Sequence, residues 1–322
     1  MLLRTDSNVS GPCSNTPVRP TVETSRIRKD GLLGVLCTPD GIAPAPGILL
    51  LGGSEGGLHE RDAQVLAAEG FTVLALAYFG APGLPSGLVD IPLEYFFRAL
   101  DVLAGQPRTN GARLGITGGS RGGEAALLVA AHDERIAAVV SVVGSGVVTA
   151  GIDFQRGALL DILGPPTTNS WTLGGEPIPY LDYVIEDALR DRVRQNRPIR
   201  LVDAFPPPPT DPAELDRVSV AVEAIRGPVL LLSAGDDASW PCAAYSEVAA
   251  NRLRDHLYPV QHRIFENAGH TIAGPPGTSF TTTRSPGPGV TFEMGGTPAA
   301  NTAARAEAWQ ATVDFFAEHL PD

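Results

Sequence analysis

From residue 46 onward, apolar runs that predict strands alternate with segments that predict helices. Strands are predicted at 48–51, 71–77, 113–117, 137–143, 228–233 and 263–265. Helices are predicted at 60–69, 93–103, 124–132 and 243–257, with a final helix around Trp309, Val313, Phe316 and Leu320. Strands that are apolar throughout are typical of a sheet covered on both faces. The alternation therefore predicts an α/β protein with a mostly parallel, doubly wound sheet.

The alternation is absent between Gly144 and Gly227. We interpret this stretch, at about 147–226, as an insertion that forms a lid over the functional site. A helix is predicted within it at 180–196, and its apolar side chains predict a hydrophobic substrate group (Phe154, Leu159, Leu160, Trp171, Tyr180 and Tyr183). Residues 1–24 are polar and lack periodicity, which predicts a mobile tail, and residues 25–322 are predicted to form one domain.

Composition excludes several classes of partner. The formal net charge of −12 argues against nucleic acid or an anionic membrane surface as the partner. The three cysteines are far apart and no Cys/His metal spacing occurs, so neither a disulfide framework nor a metal site is predicted. The N-terminus lacks the apolar core of a signal peptide, so a cytoplasmic enzyme is expected. No cofactor is expected. The sequence leaves open whether the protein forms a homodimer.

Two segments match the pattern Gly-x-Ser-x-Gly, one centred on Ser54 and one on Ser120. A catalytic serine of this type lies on a sharp turn between a strand and a helix. Ser120 fits, since a predicted strand precedes it and a predicted helix follows directly. We expect the loop that holds Gly53 and Ser54 to supply one backbone N–H of an oxyanion hole, and Arg121 the other.

The partners of such a serine follow it in the order acid, then histidine. Asp236 and Asp237 come directly after a late strand, and spacing alone does not separate them. His270 follows the last predicted strand and is the candidate base, because a serine hydroxyl needs a neighbouring base to take its proton. The other histidines are interpreted as solvated surface residues (His59, His132, His256, His262 and His319).

Several ordered motifs over residues 26–320 resemble one known family. They are Gly-Gly-Ser-Glu-Gly-Gly-Leu (52–58), Leu-Ala-Tyr-Phe (76–79), Leu-Glu-Tyr-Phe (93–96), Gly-x-Ser-Arg-Gly-Gly-Glu (118–124), Asp-Asp-x-x-Trp (236–240) and Gly-His (269–270). These are similar to the C-terminal hydrolase domain of the acyl-CoA thioester hydrolase and bile acid-CoA:amino acid N-acyltransferase family. The resemblance implies an α/β-hydrolase fold of the dienelactone-hydrolase type. It also implies a triad of Ser120, Asp237 and His270, with Ser rather than Cys favouring transfer to water.

The sequence therefore predicts a serine hydrolase that cleaves a small-molecule acyl thioester or ester through an acyl-enzyme. Two alternatives use the same triad. One is acyl transfer to an amine or hydroxyl, or ring closure within the substrate. The other is hydrolysis of an ester or lactone, as in dienelactone hydrolases.

Overall fold

The computed structural model describes residues 20–41, 44–277, 282–287 and 290–320. In chain order its strands are β1 (Val22–Lys29), β2 (Leu32–Pro39), β3 (Ala45–Leu51), β4 (Thr72–Ala77), β5 (Ile91–Pro92), β6 (Thr109–Gly119), β7 (Ile136–Val142), β8 (Trp171–Leu173), β9 (Glu176–Pro177), β10 (Val229–Ala234), β11 (Val260–Phe265), β12 (Thr283–Gly287) and β13 (Val290–Glu293). Its α-helices are α1 (Glu60–Ala67), α2 (Leu93–Ala104), α3 (Arg121–His132), α4 (Leu159–Leu163), α5 (Asp187–Arg194), α6 (Pro212–Val218), α7 (Cys242–Arg252) and α8 (Pro298–His319). Short 3-10 turns lie at Phe154–Arg156, Leu201–Ala204, Val222–Ala224 and His270–Ile272.

One large sheet organises the fold, with strand order β1-β2-β4-β3-β6-β7-β10-β11. From β4 to β11 all neighbours are parallel, which confirms the predicted mostly parallel sheet. The two antiparallel strands at one edge, β1 and β2, were not predicted. The predicted tail at 1–24 therefore extends too far, because Val22 already begins β1. Residues 1–19 lie outside the described residues.

The core lies on both faces of this sheet. Every residue of β3, β4, β7 and β10 is buried, as expected for strands covered on both sides. Helices α2 and α3 pack on one face, whereas α1 and α8 pack on the other. In the part of the chain that the structure describes, no helix is both long and apolar enough to cross a bilayer.

The segment between β7 and β10 holds short elements that contact the domain. Its β8 pairs with β5 and β9, so the segment contains short strands although it lacks the regular alternation of strands and helices. The helix predicted at 180–196 is also too long, since α5 covers only Asp187–Arg194. The N–H groups of Leu181 and Val184 donate instead to the carbonyls of Val148 and Ala204, which keeps that stretch extended.

Candidate active site

Ser120 occupies a sharp turn between β6 and α3. Its φ of 56° lies in the left-handed region, which is rare for a residue with a side chain. A Cβ on Gly118 would overlap the carbonyl of Gly122, and a Cβ on Gly122 would overlap the carbonyl of Gly52. The turn can therefore form only with glycine at both flanking positions, which is the reason for the Gly-x-Ser-x-Gly pattern.

Three predicted residues from separate loops meet at this turn. His270 Nε2 lies 3.0 Å from Ser120 Oγ, and His270 Nδ1 lies 2.7 Å from Asp237 Oδ2. The carboxylate can only accept, so Nδ1–H donates to Asp237 and leaves Nε2 free to accept from the serine hydroxyl. The other oxygen of Asp237 accepts from the backbone N–H groups of Ser239 and Trp240, at 2.7 and 3.2 Å.

Asp236 has a different set of contacts from its neighbour. Its Oδ2 accepts from the N–H of Gly296 at 2.9 Å, and its own N–H donates to the carbonyl of Ala268. Asp236 thus joins two loops on either side of the site and does not contact His270. The structure places Asp237 beside the imidazole. Spacing alone had left open which of the two aspartates takes that position.

Helix α8 fixes the loop that carries His270. Asn301 Oδ1 accepts from the N–H of Gly269 at 2.7 Å. Arg305 donates from Nε to the carbonyl of Pro275 and from Nη1 to that of Thr271, at 2.8 and 3.1 Å. Gly269 directly precedes His270 and Thr271 directly follows it, so the backbone is held on both sides of the imidazole.

The pKa of His270 predicts how activity depends on pH. Burial favours the neutral ring, but the adjacent Asp237, with a contribution from Glu55, outweighs burial and raises the pKa above its ordinary value. A general base acts in its neutral form, so the acid limb of kcat/KM should rise with pH, with its midpoint above about pH 6.5. A rate profile from about pH 5 to about pH 9 checks this, and a midpoint below the ordinary histidine value would contradict it.

The residues expected to form the oxyanion hole lie on either side of Ser120. Arg121 is the first residue of α3, so its N–H has no acceptor within the helix. Gly53 lies across the site from it, with a Cβ there only 3.3 Å from Ser120 Cβ. Neither Gly53 nor Ser54 donates its N–H to a backbone or side-chain acceptor among the described residues. The arrangement can bind a negatively charged oxygen.

A buried ion pair lies beneath the Ser120 turn, and sequence reasoning missed it. Arg121 Nη1 donates to Glu124 Oε2 at 3.0 Å, and Trp171 Nε1 donates to Glu124 Oε1 at 2.6 Å. The same guanidinium also donates to the carbonyls of Thr149 and Ala150. The ion pair therefore ties α3 to the insertion, and Trp171, predicted to contact substrate, lies in the core instead.

Replacing Glu124 with glutamine should destabilise the fold. The change leaves the Arg121 guanidinium buried without a counter-charge, which typically costs about 3 to 5 kcal/mol. Urea denaturation should show a lower midpoint with an unchanged slope. Glu214→Gln is the matched control, because Glu214 and Arg217 form an ion pair at the same sequence spacing on the exposed surface. A midpoint that shifts no more for Glu124→Gln than for the control would contradict the prediction.

Ser120 and His270 line a cavity of about 980 Å³. Apolar side chains form most of its wall on two sides. The insertion and the hairpin of β12 and β13 contribute one group (Phe154, Leu159, Ile162, Leu163, Tyr183, Val290, Phe292). Helices α1 and α8 and the 3-10 turn that contains His270 contribute the other (Leu66, Ile272, Ala308, Trp309). Of the side chains predicted to meet a hydrophobic group, Phe154, Leu159 and Tyr183 line the cavity.

The titratable residues His59 and Glu55 of the cavity wall were not recognised from the sequence. His59, interpreted as a solvated residue, has a side chain only 21% exposed and lies on the cavity wall. Glu55 also faces the cavity, four residues before it. The signal that could have found them is their position: Glu55 lies inside the Gly-x-Ser-x-Gly segment centred on Ser54, and His59 directly precedes α1.

The matching family and the curated relatives of this chain agree with each other. Residues 91–322 match the family described as BAAT / Acyl-CoA thioester hydrolase C terminal. The chain is 29% identical to human acyl-coenzyme A thioesterase 6, over 94% of this chain and 67% of the relative. It is 28% identical to mouse acyl-coenzyme A amino acid N-acyltransferase 1, with the same coverage. The chain spans about two thirds or less of the length of the curated relatives it matches.

Solved structures give the fold. A putative dienelactone hydrolase from Klebsiella pneumoniae superposes with a TM-score of 0.53 at 17% identity, covering 92% of this chain and 98% of the other. Its likeness agrees with the predicted α/β-hydrolase architecture. The chain is thus an enzyme of the α/β-hydrolase fold, and it belongs to the BAAT / acyl-CoA thioester hydrolase C-terminal family.

Proposed function

We propose that the protein is a serine hydrolase that cleaves an acyl thioester through an acyl-enzyme on Ser120. The observation that carries the proposal is the hydrogen-bonded chain from Ser120 through His270 to Asp237 at the wall of an apolar cavity. The thioester class is supported by the family and by relatives named as acyl-coenzyme A thioesterases.

In the first half-reaction, Ser120 Oγ attacks the carbonyl carbon while its proton passes to His270 Nε2. The N–H of Arg121 and that of Gly53 or Ser54 hold the resulting oxyanion, and each such donor is typically worth about 3 to 4 kcal/mol in the transition state. Asp237 stabilises the imidazolium. The carbon–sulfur bond then breaks, the thiolate takes the proton from His270, and the acyl group stays on Ser120.

In the second half-reaction, water attacks the acyl-enzyme. His270 accepts a proton from the water, and the second tetrahedral intermediate collapses as that proton returns to Ser120 Oγ. The carboxylic acid leaves and the enzyme is restored. Net, one thioester and one water give one acid and one thiol.

The cavity supports a hydrophobic acyl group as the substrate, because its wall is mostly apolar and large enough for an extended chain. We further propose that the chain from Val22 onward forms one hydrolase domain, in which the insertion at about 147–226 covers the site. Leu159, Ile162 and Leu163 of α4 support this role, since they line the cavity from the insertion side.

Acyl transfer to an amine is the second candidate, because one relative is named as an amino acid N-acyltransferase. It shares the first half-reaction and differs only in the nucleophile that takes the acyl group. A serine at position 120 favours water.

A substrate panel tests these assignments. The purified protein is given acyl-CoA, acyl-pantetheine and oxygen esters of the same acyl groups, with and without a primary amine, and free thiol, acid and amide are measured. We expect thiol and acid in equal amounts and faster turnover of thioesters than of oxygen esters. Faster turnover of oxygen esters would reject the thioester assignment, and amide in place of acid would identify a transferase.

A further inference from the structure

His59 lies against the loop that is proposed to bind the oxyanion. Its ring packs on Gly52 so closely that a Cβ on that glycine would overlap the imidazole. Gly52 directly precedes Gly53, and its carbonyl is fixed by the hydroxyl of Tyr78 at 2.6 Å. The imidazole is therefore part of the wall beside Ser120, although the proposed reaction gives it no role.

Two carboxylates flank the ring of His59. Glu55 Oε1 lies 3.4 Å from Nε2, and Asp62 Oδ2 lies 3.9 Å from Nδ1. Nε2 is buried and makes no hydrogen bond to Glu55, so the contact between the two side chains becomes an ion pair when His59 is protonated. Asp62 and then Glu55 outweigh burial and raise the pKa of His59, which favours the imidazolium.

Charged and titratable groups near His59 come from several elements, and Arg284 of β12 lines the same cavity. Glu55 belongs to the loop after β3, and Asp62 belongs to α1. From α8, Arg305 approaches Asp62 beside Gly274, where a Cβ would lie 3.0 Å from Asp62 Oδ2. His270 faces Glu55 from the opposite loop, and the charge of Glu55 contributes to the raised pKa of His270.

The Glu55 carboxylate lies close to the place where negative charge forms during the proposed reaction. Its Oε2 is 2.9 Å from the position of a Cβ on Gly53, and that same position is 3.3 Å from Ser120 Cβ. A negative charge there opposes the oxyanion, because like charges repel at this separation even though the Glu55 side chain is 35% exposed. A neighbouring cation that pairs with Glu55 reduces this repulsion.

We propose that His59 is a positioning residue that acts through Glu55: as a cation it holds the Glu55 carboxylate against the Gly52–Gly53 segment and offsets its charge beside the oxyanion position. His59 does not touch the reacting atoms. The proposal rests on the proposed function, because it needs an oxyanion on the substrate of Ser120.

A double-variant cycle tests the proposal. The rate of fluorophosphonate labelling of Ser120 and kcat/KM are measured for the wild type, His59→Asn, Glu55→Gln and the double variant. Asparagine is favourable before a helix, so α1 should be preserved, and a thermal melt checks it.

We expect His59→Asn to be about 10-fold to 100-fold slower, because the Glu55 charge then opposes the oxyanion without a counter-ion. The double variant should recover about tenfold or more over His59→Asn, because no charge then needs to be offset. A double variant as slow as His59→Asn would overturn the proposal, since a merely structural histidine is not rescued by removing its partner.

The pH profile is a second readout. In the wild type, the labelling rate should fall again on the alkaline side as His59 loses its proton, and this fall should be absent in Glu55→Gln. An alkaline fall that persists in Glu55→Gln would contradict the proposal. His132→Asn is the control, because His132 is exposed at the end of α3 and should leave both limbs unchanged. If the wild type neither labels nor turns over substrate, the proposed function itself fails; if it does both but the cycle shows no recovery, only the role of His59 fails.

Discussion

Ser120→Ala is expected to lower kcat/KM for the thioester substrate by about 10⁴-fold to 10⁶-fold, the range in which removal of a catalytic serine normally falls. The alanine keeps the turn but removes the hydroxyl that is proposed to form the acyl-enzyme. Because the cavity wall is unchanged, substrate binding should be preserved. Turnover of the variant, followed by free thiol, and binding of a non-hydrolysable analogue separate the two effects.

Covalent labelling gives an independent check of the same variant. A fluorophosphonate reacts with an activated serine, so the wild type should take up one equivalent and Ser120→Ala none. Ser54→Ala is the informative comparison, because Ser54 lies in the other Gly-x-Ser-x-Gly segment and is proposed to contribute only its backbone N–H. Stoichiometric labelling of Ser120→Ala together with loss of labelling in Ser54→Ala would move the nucleophile to that other segment.

The turn at Ser120 was predictable because its determinants are local. A Cβ on Gly118 would overlap the carbonyl of Gly122, four positions away, and a strand and a helix flank the turn directly. The parallel order of the central strands was predictable for a similar reason. A strand such as β7 is apolar almost throughout, and this composition indicates burial on both faces of the sheet. Local sequence was sufficient wherever the deciding contacts were local.

Contacts between distant segments decided what the sequence did not predict. β1 has only two partly buried positions to mark it, and it exists because it pairs with β2 along its whole length. Trp171 is aromatic like a ligand-binding residue, but the carboxylate that it meets, Glu124, lies 47 positions earlier. His59 resembles a surface residue until Gly52 and Glu55 are seen against it.

The choice between the two aspartates also depends on a distant contact. Both follow β10 closely, and either could reach the same edge of the sheet. In the turn at Gly295 and Gly296, 60 residues later, the N–H of Gly296 donates a hydrogen bond to the Asp236 carboxylate. A backbone bridge to Gly295 fixes Asp237, whose carboxylate then lies toward His270.

Asp237→Asn is expected to lower kcat/KM by about 10⁴-fold, while Asp236→Asn should stay within about tenfold of the wild type. The amide that replaces the Asp237 carboxylate can present its NH₂ group to Nδ1 of His270. Nδ1 then becomes the acceptor and the proton moves to Nε2, which can no longer accept from Ser120. The carboxylate that would stabilise the imidazolium is lost as well. At position 236 the amide oxygen can still accept from the N–H of Gly296, so the loop keeps its contact. Kinetics on both variants, with thermal melts to verify folding, compare two adjacent carboxylates that differ in their partners. A larger loss for Asp236→Asn than for Asp237→Asn would mean that the imidazole is oriented by another group during turnover.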